Sequence, residues 1–261
     1  MRRLLVLVTV VTLSSTAAAE TRADRQRTKR LLAAGAAGLV FATSETVLKD
    51  PLAPDICRWC SVNSVDSSVR AALVWHDTGL AKSLSNLTGY VASPLVGAGL
   101  LLIASSGRDD DRWTRVVDDL IPMLETVAYS QLVVQAVKFS VGRQRPFVHF
   151  ATGPREADAD DNLSFFSGHS TLTFSIAVST SVVAMQRGYK LAPLVWGSGL
   201  TLAATTAYLR IAADKHYATD VLAGTAFGIA SGLAIPRLTG SLPFDAALVP
   251  TGNGLAVAGQ F

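Results

Sequence analysis

Charge is scarce in this sequence: 16% of its 261 residues are Asp, Glu, Lys or Arg, against roughly a quarter in an average soluble domain. With 49% hydrophobic residues and a mean hydropathy of +0.35, that deficit excludes a disordered chain and points to a protein embedded in or associated with a membrane. Cysteine is nearly absent, and 2 residues cannot build a disulfide-dense scaffold. The 10 prolines exclude a collagen-like chain, and no fixed-period repeat marks a solenoid. The net charge of +3 is a weak bias toward anionic partners, whose meaning depends on where the basic residues fall.

At the N-terminus Arg2 and Arg3 precede an apolar run from Leu4 to Leu13, followed by small residues ending in Ala17-Ala18-Ala19. This pattern fits a signal peptide cleaved before Glu20, or else an uncleaved N-terminal anchor, over residues 1–19. A basic segment from Glu20 to Arg30 follows. Uncharged stretches then recur at Leu31–Ser44, Ser83–Gly107, Thr126–Val137, Ser170–Gln186, Leu191–Leu209 and Val221–Pro236. They predict an all-α fold, a bundle of about six mainly apolar helices. A spanning helix needs about 20 apolar residues, so the Ser83 and Leu191 stretches are long enough and the others marginal. Val65, Val69, Leu73, Leu80, Leu84 and Leu87 recur near helical spacing and predict one amphipathic helix over 65–87. Gly224, Gly228 and Gly232 lay a smooth stripe along the last helix, against which a neighbour can pack closely.

The expected organisation is therefore 1–19 as signal or anchor, 20–90 as N-terminal helices and a Cys-x-x-Cys loop, 91–236 as a helical core, and 237–261 as a Gly/Pro-rich tail of turns and one possible hairpin. Topology is in conflict. Positive charge in Arg187–Lys190 and in Arg108–Arg115 would put both loops in the cytoplasm, with the segments after Lys138 and around His216 outside. The same count puts Glu20–Arg30 inside, which disagrees with signal cleavage.

Three clusters carry candidate chemistry, each at a helix end. Lys138-Phe-Ser-Val-Gly-Arg-Gln-Arg145-Pro146 combines cations with a helix stop; alone it reads equally as a basic flank reaching for lipid headgroups. Ser167-Gly168-His169-Ser170 opens an uncharged helix. It offers free backbone N–H groups, close approach and a side chain that transfers protons near neutrality, or simply an N-cap. In Arg210-Ile-Ala-Ala-Asp-Lys-His216-Tyr-Ala-Thr-Asp220 the four-residue spacing would let Asp220 orient His216 as a nucleophile, a surface ion pair being the alternative. Together they supply fixed cations, two histidines, a carboxylate and a helix N-terminus, which is what phosphoryl transfer needs without a metal.

On these residues the chain resembles the type 2 phosphatidic acid phosphatase family, whose fold is shared with vanadium-dependent haloperoxidases and bacterial class A acid phosphatases. The family signature is K-x6-R-P, P-S-G-H and S-R-x5-H-x3-D. Lys138 to Pro146 matches the first part; Phe166 replaces the proline of the second, and Leu209 replaces the serine of the third. The resemblance spans roughly residues 118–236. It implies that His216 is the nucleophile, Asp220 its support and His169 the acid and then base. Lys138, Arg145, Arg210, Ser167 and Gly168 would bind the phosphate, with no metal and no cofactor. The implied activity is hydrolysis of a lipid phosphate or diphosphate at a bacterial inner membrane, the active site facing the periplasm, or within the periplasm. The expected partners are a lipid phosphate substrate and the membrane, not nucleic acid. A soluble periplasmic acid phosphatase, a vanadium haloperoxidase and a non-catalytic anion binder are the competing readings.

Outside those motifs, Cys57 and Cys60 are expected to form a small structural disulfide, the export signal implying an oxidising compartment. His76 reads as a packing or surface residue and His149 as a possible lining of the entrance. The acidic run Glu156, Asp158, Asp160 and Asp161 reads as a solvated loop, or less readily as a gate for headgroups.

Overall fold

A computed structural model describes residues 22–105, 112–239, 246–251 and 254–259. The expected signal or anchor at 1–19, the centre of the Arg108–Arg115 loop and part of the tail lie outside the described residues. Helices α1 (Arg22–Thr46), α2 (Lys49–Leu52), α3 (Ser64–Leu73) and α4 (Thr78–Asn86) come first. α4 runs through a π-helical turn, Leu87–Ala92, into α5 (Ser93–Ala104) without a break, so no boundary falls near residue 90. There follow α6 (Arg112–Val141), α7 (Pro146–His149), α8 (Gly168–Gln186), α9 (Ala192–Ala212) and α10 (Ala218–Leu238). A two-stranded antiparallel hairpin, β1 (Ala246–Thr251) and β2 (Gly254–Gly259), pairs Ala246 with Gly259 and closes the described chain, as the turn residues of the tail suggest.

The all-α expectation holds for the core: α1, α4–α5, α6, α8, α9 and α10 are six long helical segments. Three are long and apolar enough to cross a membrane: Thr78–Ala104, Trp113–Val141 and Ala218–Leu238. The Leu191 stretch, expected among them, is not. Gly197, Ser198, Gly199, Thr201, Thr205 and Thr206 dilute its hydropathy while suiting it to close packing. The single amphipathic helix expected over 65–87 is two helices, α3 and α4. Asp77 caps α4 by accepting from the Leu80 N–H (2.8 Å), and the Trp75 N–H is spent on the Ala212 carbonyl (3.0 Å). Hydrophobic period continued across this turn, but the cap and the lost helical bond end α3.

α8 is the central helix. It carries no charged side chain, is buried over most of its length, and packs against α5, α6, α9 and α10. The glycine stripe of α10 makes that approach possible. A Cβ on Gly224 would lie 2.5 Å from the Ser167 carbonyl oxygen, and one on Gly228 2.7 Å from that of Thr171. On Gly232 it would meet the Val178 Cβ at 2.7 Å. α1 is tied to α6 by charge: Arg27 to Asp118 (2.7 Å) and Arg30 to the buried Glu125 (2.9 Å).

Gly228→Ala should therefore push α10 off α8 and cost about 1–3 kcal/mol, because the contact is backbone and cannot rotate away. Thermal unfolding in detergent checks this, and an unchanged midpoint would mean the two helices are not in backbone contact.

Candidate active site

Local sequence places each cluster at a helix end on the same side of α8. α6 stops at Gly142, which takes a positive φ of 58° and donates its N–H to the Lys138 carbonyl (3.1 Å), a left-handed cap that suits glycine. The chain then runs extended through Arg143 to Arg145, and Pro146 opens α7 where its missing N–H costs nothing. The 57–60 loop pairs with this extended run: the Arg58 N–H donates to the Gly142 carbonyl (2.9 Å) and the Gln144 N–H to the Trp59 carbonyl (3.1 Å). Cys57 and Cys60 are joined as a disulfide across it.

Ser167 caps α8. Its hydroxyl accepts from the Ser170 N–H and O–H and does not line the cavity, whereas Gly168 and His169 do. Asp220 is the third residue of α10 and accepts from the Tyr217 N–H (2.9 Å), while its own carbonyl accepts from the Ser167 N–H (3.1 Å). The second and third clusters are thereby stitched backbone to backbone.

His216 is 2% exposed and is held by its Nδ1, 2.7 Å from the Ser164 carbonyl oxygen. A carbonyl only accepts, so Nδ1 carries the proton and Nε2 holds the lone pair, which can accept from Arg145. Nε2 lies 3.5 Å from Arg145 Nη1. The Asp220 carboxylate is 3.7 Å from Nδ1, because His216 precedes α10 instead of sitting one turn below Asp220 on it. Asp220 acts on His216 through Ser164, whose hydroxyl donates to its Oδ2 at 2.6 Å. Its other oxygen pairs with Arg143.

Arg143 and Asp66 are the main functional candidates that sequence reasoning did not assign. Arg143 is 1% exposed, its guanidinium lying between the rings of Trp59 (4.0 Å) and Tyr217 (4.3 Å) and donating to Asp66 at 2.7 Å. Asp66, fully buried, also accepts from the Thr219 N–H (2.9 Å) and hydroxyl (2.7 Å) at the start of α10. Its sequence signal was limited to the Asn63-x-x-Asp66 cap of α3.

A cavity of about 350 Å³ is lined by Lys138, Arg145, Gly168, His169, Arg210 and His216, with α1 closing one side. Of the expected site residues only Ser167 and Asp220 stand behind its wall. Arg210 donates to Ser85 Oγ (3.1 Å), leaving its buried Nε without a hydrogen-bond partner among the described residues. Arg145 donates to the carbonyls of Asp160 (2.7 Å) and Lys215 (3.0 Å). The Lys138 ammonium lies 3.6 Å from where a Cβ on Gly168 would sit. His169 Nε2 is 2.9 Å from Asn86 Oδ1, which makes Nε2 the protonated nitrogen, and its ring packs on Tyr90 at 4.4 Å. His149 lies outside the cavity and contacts Gln144 and Phe150.

The acidic run is a solvated loop only in part: Glu156 and Asp158 are exposed, but Asp160 and Asp161 are paired. Asp160 lines the cavity, 2.6 Å from Lys49 and 3.4 Å from Arg145, and Asp161 pairs with Arg155. Burial would raise the Asp160 carboxyl, but Arg145, Lys49 and Lys138 outweigh it and hold it well below the usual range. His216 is pushed well below 6.5, by burial first and then by Arg145, Arg210 and Lys138. His169 shifts the same way, by burial and then Arg210. The site can therefore present a neutral nucleophilic nitrogen to an anion held by three cations.

Residues 119–242, which contain all three clusters, match the PAP2 superfamily. Nothing among curated proteins matches the chain. Among solved structures, a transmembrane PAP2-type phosphatidylglycerolphosphate phosphatase from Bacillus subtilis is similar at 17% identity and a TM-score of 0.48, over 82% of this chain and 95% of that one.

Two predictions come from this geometry. Asp66→Ala should cost about 3–5 kcal/mol of stability, because it strips a carboxylate from a buried guanidinium. Equilibrium unfolding in detergent measures this; a loss below about 1 kcal/mol, the worth of a surface pair, would remove Arg143 from the centre of the site. Because its pKa is lowered, His216 stays unprotonated as pH falls through 6.5. Nitrogen-15 NMR of labelled imidazoles should thus find it neutral and Nδ1-protonated at about pH 6, where an ordinary histidine is largely charged. A charged ring there would refute the assignment.

Proposed function

We propose that the chain, residues 119–242 of which match the PAP2 superfamily, is a metal-independent phosphatase removing the terminal phosphate of a lipid phosphate or lipid diphosphate through a phosphohistidine. The observation that carries this reading is the unprotonated Nε2 of His216, its ring fixed by the Ser164 carbonyl, in a cavity lined by Lys138, Arg145 and Arg210. A phosphate among these cations places its phosphorus before that nitrogen. Nε2 forms the P–N bond as the P–O bond to the lipid breaks, and the departing oxygen takes a proton from His169. The incoming anion offsets the surrounding positive charge, which raises the His169 pKa toward the acid the step requires. Water, giving its proton back to His169, then breaks the P–N bond and releases orthophosphate. The buried Arg210 Nε, without a hydrogen-bond partner among the described residues, is a donor that a phosphate oxygen would satisfy.

Lipid substrates are favoured by the three apolar helices and by exposed Leu39, Val40, Val91 and Leu95 on the helices beside the cavity. Placement at the periplasmic face of a bacterial inner membrane is favoured by the distribution of charge. Arg27, Arg30 and Arg187 pair with Asp118, Glu125 and Asp119 near the start of α6, about 20–30 Å along that helix from Lys138. These three arginines lie toward the end of α6 opposite the cavity, as a cytoplasmic face would require.

The test is phosphate release by detergent-purified protein, with EDTA present, from lipid phosphates, lipid diphosphates and soluble phosphomonoesters. Release should persist in EDTA, prefer lipids and fall at least about 1,000-fold in His216→Ala. Activity that survives the substitution, or that requires a divalent ion, would sink the reading.

A further inference from the structure

We propose that the Glu45–Lys49–Asp160 cluster sets the substrate class of the cavity, selecting a phosphate monoester dianion over a diphosphate. This rests on the phosphatase reading above and narrows it. Glu45 from α1 and Asp160 from the segment before α8 both line the cavity that holds Lys138, Arg145 and Arg210. Lys49 sits between the two carboxylates, 2.9 Å from Glu45 and 2.6 Å from Asp160. Gln135, one turn before Lys138 on α6, donates to the other Glu45 oxygen at 2.9 Å and fixes its place.

The cluster therefore brings one net negative charge to a cavity with three cations, leaving two positive charges to be matched. A phosphate monoester, with a charge of about −2 at neutral pH, matches them. A diphosphate brings a further negative charge and a second set of oxygens. Phe41, Val134 and Tyr90 offer that second phosphate no cation, and the charge it would meet is Glu45. Lys49 is already bonded twice. Beyond Asp160 the adjoining cavity of about 700 Å³ is lined by Asp50, Asp55, Asp158 and Asp161, so the outward side is acidic as well. Like charge a few ångströms from a bound anion disfavours it by about tenfold or more. A latch that merely tied α1 to the 160 segment would affect every substrate alike.

The experiment compares farnesyl phosphate with farnesyl diphosphate, which share one tail, using the full chain in detergent. Wild type should show a kcat/KM at least about tenfold higher for the monophosphate, and Glu45→Gln and Asp160→Asn should each shrink that ratio several-fold. Equal or better use of the diphosphate by wild type overturns the proposal, and so do variants that slow both substrates without moving the ratio. Thermal shift with orthophosphate and with pyrophosphate gives a reading independent of turnover. Greater protection by orthophosphate, narrowed in both variants, supports the selectivity even where no lipid is hydrolysed and the phosphatase reading has failed. The reverse order overturns it.

Discussion

The guanidinium of Arg143 is the group on which the geometry of the site depends. Two fully buried carboxylates, Asp66 and Asp220, flank it, and its guanidinium is the cation with which both pair. With its charge met, Asp220 has oxygens to spare for the Ser164 hydroxyl and the Tyr217 N–H. Ser164 in turn fixes the His216 ring, and the Asp220 carbonyl fixes the start of α8 through the Ser167 N–H. One residue of the α6 terminus thereby sets the position of the other two helix ends. Trp59 and Tyr217 on the faces of Arg143 exclude water from the triad and strengthen these contacts.

The cavity uses charge in the opposite way. Around Arg143 every ion has a counter-ion, whereas Arg210, which lines the cavity, keeps a buried Nε without a hydrogen bond among the described residues. A buried donor without a partner is costly, and an anion in the cavity would complete this one. Burial first, and then the same positive field, lowers both histidines, so the cavity holds neutral rings. An anion that enters both satisfies that donor and restores the basicity of His169.

The parts of the site that were legible in the sequence are those encoded locally. Gly142, Pro146 and Ser167 act as helix punctuation within a few residues of themselves, so their spacing alone announced three helix ends. The glycine stripe of α10 was legible for the same reason. The route from Asp220 to His216 through Ser164 was not, because the direct contact expected from the four-residue spacing assumes a helix that begins only at Ala218. Asp160 read as a solvated residue within an acidic run, yet it pairs with Lys49 and Arg145. Nothing local separates an aspartate destined for a distant cation from one destined for water. The break between α3 and α4 was hidden by a hydrophobic period that happens to survive the turn.

The residues that refine the cavity come from chain outside the superfamily match at 119–242. Ser85 orients Arg210, Asn86 fixes the tautomer of His169, Glu45 brings counter-charge, and Asp66 secures Arg143. None of these four transfers a phosphoryl group in the reaction proposed, but each sets the orientation, protonation or net charge of a residue beside or behind the cavity wall. The clusters of α6, α8 and α10 alone would present cations, a fixed His216 and a His169 without the partner that Asn86 supplies. Helices α1, α3 and α4 fold back over those ends and impose a particular charge balance and shape. The division of labour is physical: groups that bear the reaction's charge must converge from rigid helix ends, while groups that tune it need only reach them from outside.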